Sequence, residues 1–223
     1  MDEVRYAYYP VFRATAALRE RPAREVQQMG HEAEVLLKEW AERVTLRGAY
    51  STAGLRPDAD LMLWLVAGSL DDLQDLMVGL RRTALGRRLE LTWAFTGAVR
   101  PAEFSPDHLP AFLRGEEPRK YVCVYPFVRT PEWYLLPPED RSALLAELGR
   151  MGREFPDVLA NTPSAFGLGD WEWILAFEAD DPGRIVDCIR RLREAGARRY
   201  TKEEVPFVVG IRKDLAAAAA DLA

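Results

Sequence analysis

Histidine is scarce in this 223-residue chain, which holds two, His31 and His108. A zinc centre built from several His and Cys, or a Ser-His-Asp triad, therefore has almost no material. The two cysteines, Cys123 and Cys188, are far apart in sequence, each within an apolar run. That placement reads as two buried reduced thiols, not a disulfide or a metal pair. No run of about 18 apolar residues is present, and Met1-Asp2-Glu3 lacks the basic-then-apolar pattern of a secretory signal. The expectation is a cytoplasmic protein with no membrane span. A Gly-rich phosphate loop is also missing, since Gly167-Leu168-Gly169 precedes a strand and reads as a turn. A net charge of −5 argues against broad nucleic-acid binding. The basic cluster of Arg190, Arg191, Arg193, Arg198 and Arg199 reads as a solvated helix face.

What is present is a chain with 48% hydrophobic and 29% charged residues, enough to bury a large core. Periodicity predicts a strand over residues 6–15, where β-prone aromatics concentrate. A helix over 22–46 follows, with Pro22 in its first turn and Val26, Met29, Ala33, Leu36, Leu37, Trp40 and Val44 on one face. Next come strands over 48–53 and 61–67 around Gly54, Pro57 and Asp58, a helix over 70–85 capped by Ser69, and a strand over 89–99. After a Pro-rich charged connector the order returns: strand 121–128, helix 138–155, strands 158–166 and 171–178, helix 181–197, strand 205–211.

The β-α-β-β-α-β order occurs twice, as a repeat of structure and not of sequence. Each copy matches the split-βαβ ferredoxin-like motif, whose one-sided sheet needs a cover. The predicted fold class is α+β: two ferredoxin-like repeats forming a pseudo-symmetric dimeric α/β-barrel-type domain, with ligand space between one sheet and its helices. The expected divisions are an N-terminal repeat over 1–100, a connector over 101–120, a C-terminal repeat with the pocket over 121–213, and an Ala-rich tail over 214–223 that frays.

Few residues can carry chemistry. His31 sits inside a helix and reads as solvent-facing. His108 lies in the connector, where an irregular segment on a scaffold is a better place for function, although a surface histidine reads the same way. In the strand from Tyr121, alternation places Cys123, Tyr125, Phe127 and Arg129 on one face. Arg129 suits a fork-like contact to a carboxylate, with the Tyr125 phenol beside it for proton or one-electron chemistry. A hydrogen-bonded core tyrosine fits the same pattern. Trp133, Trp171 and Trp173 are either core or the walls of a flat aromatic ligand. Leu144, Leu145, Leu148, Met151 and Phe155 form the apolar stripe of the next helix.

Taken together, several segments resemble the chlorite dismutase family, and within it the actinobacterial coproheme decarboxylase branch. They are Arg47-Gly48-Ala49-Tyr50, Ala53-Gly54-Leu55-Arg56, Asp58-Ala59-Asp60, Arg100-Pro101-Ala102-Glu103-Phe104, Gly115-Glu116-Glu117-Pro118, Tyr125-Pro126-Phe127-Val128-Arg129, Glu132-Trp133-Tyr134-Leu135-Leu136-Pro137, Trp173-Ile174-Leu175-Ala176-Phe177-Glu178 and Ala197-Arg198-Arg199. The likeness covers almost the whole chain. It implies a homopentamer that takes an iron porphyrin (coproheme, or haem b) as substrate and cofactor, with hydrogen peroxide as oxidant. Two propionates become vinyl groups with loss of carbon dioxide.

The resemblance also implies roles. Tyr125 matches the tyrosine whose radical oxidises a propionate, Arg129 a basic residue that steadies it, and Trp133 a tryptophan on the propionate side. His108 matches the distal histidine that helps deprotonate or cleave peroxide. One position departs from the pattern. Family members read Glu-His-Gly where this chain reads Glu147-Leu148-Gly149, so the axial imidazole is replaced by Leu148. Leucine has no lone pair to donate, which leaves the iron to propionate contacts and pocket packing. Met151, one turn further, and His108 from the opposite side are the other donors the sequence offers. The segment Leu159-Ala160-Asn161-Thr162 has no distal arginine of the kind chlorite dismutation needs. Three readings follow: a coproheme decarboxylase-like enzyme, a non-catalytic porphyrin-binding paralogue, and a divergent non-haem enzyme.

Overall fold

Alternation in the first strand sets the architecture, which we describe from a computed structural model for residues 4–100 and 109–223. In β1 (Arg5–Ala14), Ala7, Tyr9 and Val11 point to one face and Tyr6, Tyr8, Phe12 and Ala14 to the other. A short helix, α1 (Ala16–Arg19), leads to α2 (Ala23–Glu39). The predicted helix to residue 46 overruns: the Trp40 N–H closes the last turn on Leu36, and Val44 and Leu46 already pair with Ala67 and Leu65. Val44 and Thr45 are β-branched, and sheet pairing outweighs their helical spacing. The half is completed by β2 (Val44–Arg56), β3 (Ala59–Ala67), α3 (Leu70–Arg82) and β4 (Leu89–Val99). Ser69 caps α3 as expected, its Oγ accepting from the Asp72 N–H at 3.1 Å.

The second half holds β5 (Tyr121–Arg129), α4 (Pro131–Leu135), α5 (Pro138–Gly152), β6 (Leu159–Asn161), β7 (Trp173–Ala179), α6 (Pro182–Leu192), a 3-10 turn (Gly196–Tyr200), β8 (Thr201–Glu203), β9 (Val208–Lys213) and α7 (Leu215–Ala220). The strand expected over 158–166 shrinks to three residues, because Pro163 has no N–H to extend the ladder.

All main-path strands pair antiparallel in the order β4-β1-β3-β2-β9-β5-β7-β6. Each half therefore runs fourth-first-third-second, the ferredoxin-like order. Pairing of β2 with β9, Tyr50 opposite Arg212, joins the halves. At the opposite seam, β4 meets the segment after β6 through one reciprocal pair, Ala98 N to Ser164 O at 2.7 Å and Ser164 N to Ala98 O at 2.9 Å. The sheet thus does not close into the barrel expected from sequence. Even this contact needs Gly97, where a Cβ would lie 2.5 Å from Pro163 Cβ.

Three apolar layers result. The inner one, between the half-sheets, holds Tyr9, Tyr50, Trp64, Phe95, Val124 and Ile174. An outer layer under α2 and α3 is large, whereas the one under α5 and α6, around Cys123, Tyr125, Phe177 and Cys188, is small. The 214–223 tail does not fray: α7 buries Leu215, Ala216, Ala218 and Ala219, and the Ala216 N–H donates to Glu34 Oε1 at 2.9 Å. Its small side chains let it lie against Gly30 of α2.

Candidate functional site

The two repeats differ in how their helices cover the sheet. In the first, α2 buries Val26, Gly30, Ala33 and Leu37; its counterpart α5 buries no residue along its length. A helix whose apolar stripe is only partly buried leaves space beneath it. The space is a cavity of about 80 Å³ between β5, β7, α5, α6 and the turn after α6. Its apolar wall comprises Leu148 of α5, Leu175 of β7, and Ile189 and Leu192 of α6. Facing the helices are Tyr125, Phe127 and Arg129 of β5, the face that strand alternation predicts, with Leu175 beside Tyr125 in the sheet. Glu147 holds α5 in place, its Oε2 accepting from the Gly196 N–H at 2.9 Å.

The wall is cationic within an acidic protein. Arg129, Arg193 and Arg198 line it against the single carboxylate of Glu204. Arg129 is only 8% exposed. Its guanidinium donates to Ala197 O at 3.0 Å and Thr201 Oγ1 at 3.3 Å, and stacks over Phe127 and Trp133 at 4.9 and 4.3 Å. Its backbone N–H donates to Glu172 Oε2 at 2.7 Å. Desolvation lowers its pKa, against the pull of Tyr134, Glu204 and Glu172. Tyr125 is 4% exposed, and its ring stacks on Phe207 at 4.2 Å. Burial first, then the negative charge of Glu204, raise its phenol pKa above the ordinary value, so it stays protonated.

Of the residues singled out from sequence, Tyr125, Arg129 and Leu148 line one cavity. Trp133 does not reach it; its ring backs Arg129 and meets Tyr200 at 5.7 Å. Trp173 stacks on Phe127, and Trp171 packs with Trp93 and Phe95 in the inner core. Met151 is not among the lining residues. His31 is exposed and pairs with Glu34 at 3.1 Å. His108 lies outside the described residues. Both thiols are buried and free, desolvation pushing Cys123 up to about 12 and Cys188 up to about 11.

The sequence reading missed Arg193, Arg198, Thr201 and Glu204. The arginine cluster is not one solvated face: Arg191 pairs outward with Glu154 and Glu194, while Arg193 and Arg198 turn to the cavity. The available signal was the acidic pair Glu203-Glu204 following a basic run. Asn161 of the arginine-free segment is buried and structural, donating to Ala176 O and Glu178 Oε1, both at 3.1 Å, and accepting from Phe112 N–H at 3.0 Å.

Two fourth-first-third-second repeats fused through one antiparallel sheet, one of them holding a cationic slot under its helices, define an α+β protein of the paired ferredoxin-like class. The chlorite dismutase family profile matches residues 26–213, and the chain belongs to that family. It is 53% identical over 183 residues to a coproheme decarboxylase of Mycolicibacterium smegmatis, covering 81% of this chain and 79% of that protein. A coproheme decarboxylase of Thermus thermophilus is 28% identical over 191 residues, with coverage of 78% and 76%. In fold, a mutant chlorite dismutase from Candidatus Nitrospira defluvii in complex with cyanide superposes with a TM-score of 0.86, at 21% identity and coverage of 98% and 94%.

In kind, though not in space, the arginines and the aliphatic and aromatic side chains around the cavity suit the carboxylates and the flat apolar body of a porphyrin. They do not supply a ligand for its iron: the helix position facing the cavity is Leu148, and among the described residues no group of three or more His, Cys, Asp or Glu could hold a metal ion. At about 80 Å³ the slot is also smaller than the roughly 300 Å³ lower bound of ligand pockets. A ligand must move part of the wall. No described helix is long and apolar enough to cross a membrane.

Proposed function

We propose that this chain binds iron coproporphyrin as its substrate and, with hydrogen peroxide, oxidatively decarboxylates propionates on it. The observation that carries this reading is the cavity under α5, where buried Tyr125 stands among three arginines and an aliphatic wall. Likeness to the Mycolicibacterium coproheme decarboxylase supports it. An iron porphyrin held by these residues would, with peroxide, supply the oxidising equivalent. The chain supplies position: Arg129, already oriented by Ala197 O, Thr201 and the Trp133 ring, steadies a propionate carboxylate. Tyr125, held as neutral phenol, is placed to give up a hydrogen atom next to that propionate, and Leu148, Leu175 and Leu192 exclude water. His108, by its resemblance to the family's connector histidine, is proposed to help deprotonate or cleave peroxide. The assembly proposed is a cytoplasmic homopentamer, which light scattering tests.

Leu148 favours a second reading, a porphyrin-binding protein without turnover. Absorption titration with ferric coproporphyrin under anaerobic conditions, then peroxide and mass spectrometry of the porphyrin, separates the two. Stepwise loss of carbon dioxide supports the decarboxylase; saturable binding without mass loss supports the binder, and absence of binding removes both.

A further inference from the structure

The cavity already contains a carboxylate of the chain's own. Glu204, its side chain 16% exposed, forms ion pairs with both Arg193 and Arg198. It is the only acidic residue among those lining the cavity. Its charge also reaches Tyr125 and Arg129, acting on the titration of both. Two guanidiniums converging on one carboxylate is the geometry of a carboxylate-recognition site.

Several features favour displacement of this carboxylate. Arg129 has backbone and hydroxyl partners of its own, whereas among the described residues Glu204 is the carboxylate that pairs with Arg193 and Arg198. The arginines are 34% and 41% exposed, and pairs of such exposure contribute little to folding stability. Glu204 follows the three-residue β8 and lies outside any strand or helix, so its release breaks no ladder. The cavity is too small for a ligand unless some lining element yields.

We propose that Arg193 and Arg198 form a carboxylate subsite which Glu204 occupies when no ligand is bound, and that a propionate of the incoming porphyrin takes its place. Glu204 is thereby a specificity-determining residue: only a ligand bringing its own carboxylate to this corner compensates for the displaced one. The proposal rests on the porphyrin reading of the site. In chemical terms an internal competitor lowers affinity for every ligand and penalises most those unable to refill the arginine pair.

The test is a fluorescence titration with metal-free coproporphyrin, a tetracarboxylate that needs no iron ligand, against wild type, Glu204→Gln and Glu204→Asp. The expected result is binding at least about tenfold tighter in Glu204→Gln, with Glu204→Asp near wild type, because it retains the competing charge. Equal or weaker binding by Glu204→Gln overturns the proposal, and saturable wild-type binding in that case leaves the porphyrin reading standing. No binding by any of the three overturns both. Hydrogen exchange on wild type gives a readout that needs no variant: the amides around Glu204 exchange faster in the porphyrin complex if Glu204 is expelled. Unchanged or slower exchange there contradicts the idea.

Discussion

Tyr125 and Leu148 face one another across the same cavity, and function at this site divides between them. Removing only the hydroxyl, in Tyr125→Phe, keeps the ring against Phe207 and the packing around Cys123 and Phe177. Decarboxylation should fall by at least about 100-fold, the scale of a lost proton-handling group, with porphyrin binding within about threefold of wild type. Undiminished turnover in that variant would show that the phenol is not the reacting group. Since burial raises the phenol pKa, the deprotonated form is absent near neutrality, and the pH-rate profile should show no tyrosine limb up to about pH 10. Leu148→His places an imidazole on the cavity wall; the absorption and electron paramagnetic resonance spectra of the ferric coproporphyrin complex should then change to those of a nitrogen-ligated iron. Identical spectra for both proteins would mean that position 148 does not address the metal. Tyr125 and Arg129 were legible beforehand because strand alternation fixes a face. Arg193, Arg198 and Glu204 were not, since they come from a helix end, a 3-10 turn and an irregular segment, where no period says which way a side chain points.

Among the elements, the Ala-rich tail shows where pattern stops being informative. A run such as Leu215 to Ala220 has no polar face, so periodicity cannot tell a frayed end from a docked helix. The deciding feature lies in α2, at Gly30, where an added Cβ would come within 2.7 Å of Ala216 Cα and 2.9 Å of Ala219 Cβ. On propensity alone, Gly30→Ala inside a helix gains about 1 kcal/mol. Against that stands backbone overlap with α7, which no rotamer relieves, and overpacking costs about 1–3 kcal/mol. The clash wins, and Gly30→Ala should lower the melting temperature by a few degrees, read by calorimetry. A rise in melting temperature would mean that α7 is not seated on α2 in solution. The strand and helix cores of both repeats were readable from their apolar spacing, but the end of α2 was not, because Val44 continued the helical spacing while pairing in β2.

At the scale of the molecule, the order of elements revealed two repeats, but nothing local announced how they are joined. Besides the β2–β9 pairing, a buried ion pair between residues 131 positions apart ties the halves: Arg47 of β2 donates to Glu178 Oε1 of β7 through Nε at 3.1 Å and a terminal nitrogen at 2.8 Å. Around it, Arg47 reaches Glu116 O at 2.9 Å and lies over Trp64 at 4.9 Å, while Glu178 also accepts from Asn161 and the Arg119 N–H. Every atom of that carboxylate is away from water. With this network in the inner core and β2 hydrogen-bonded to β9, neither repeat can open without stranding the other's charge. Unfolding in denaturant should therefore be one transition reported identically by probes in both halves. Arg47→Met leaves Glu178 uncompensated and should cost about 3–5 kcal/mol, whereas adding Glu178→Gln should return part of that loss, because the second change removes the stranded charge. If the double variant is as unstable as the sum of the two single ones, the pair does not couple the halves. Two separated transitions in the wild type would likewise refute joint unfolding.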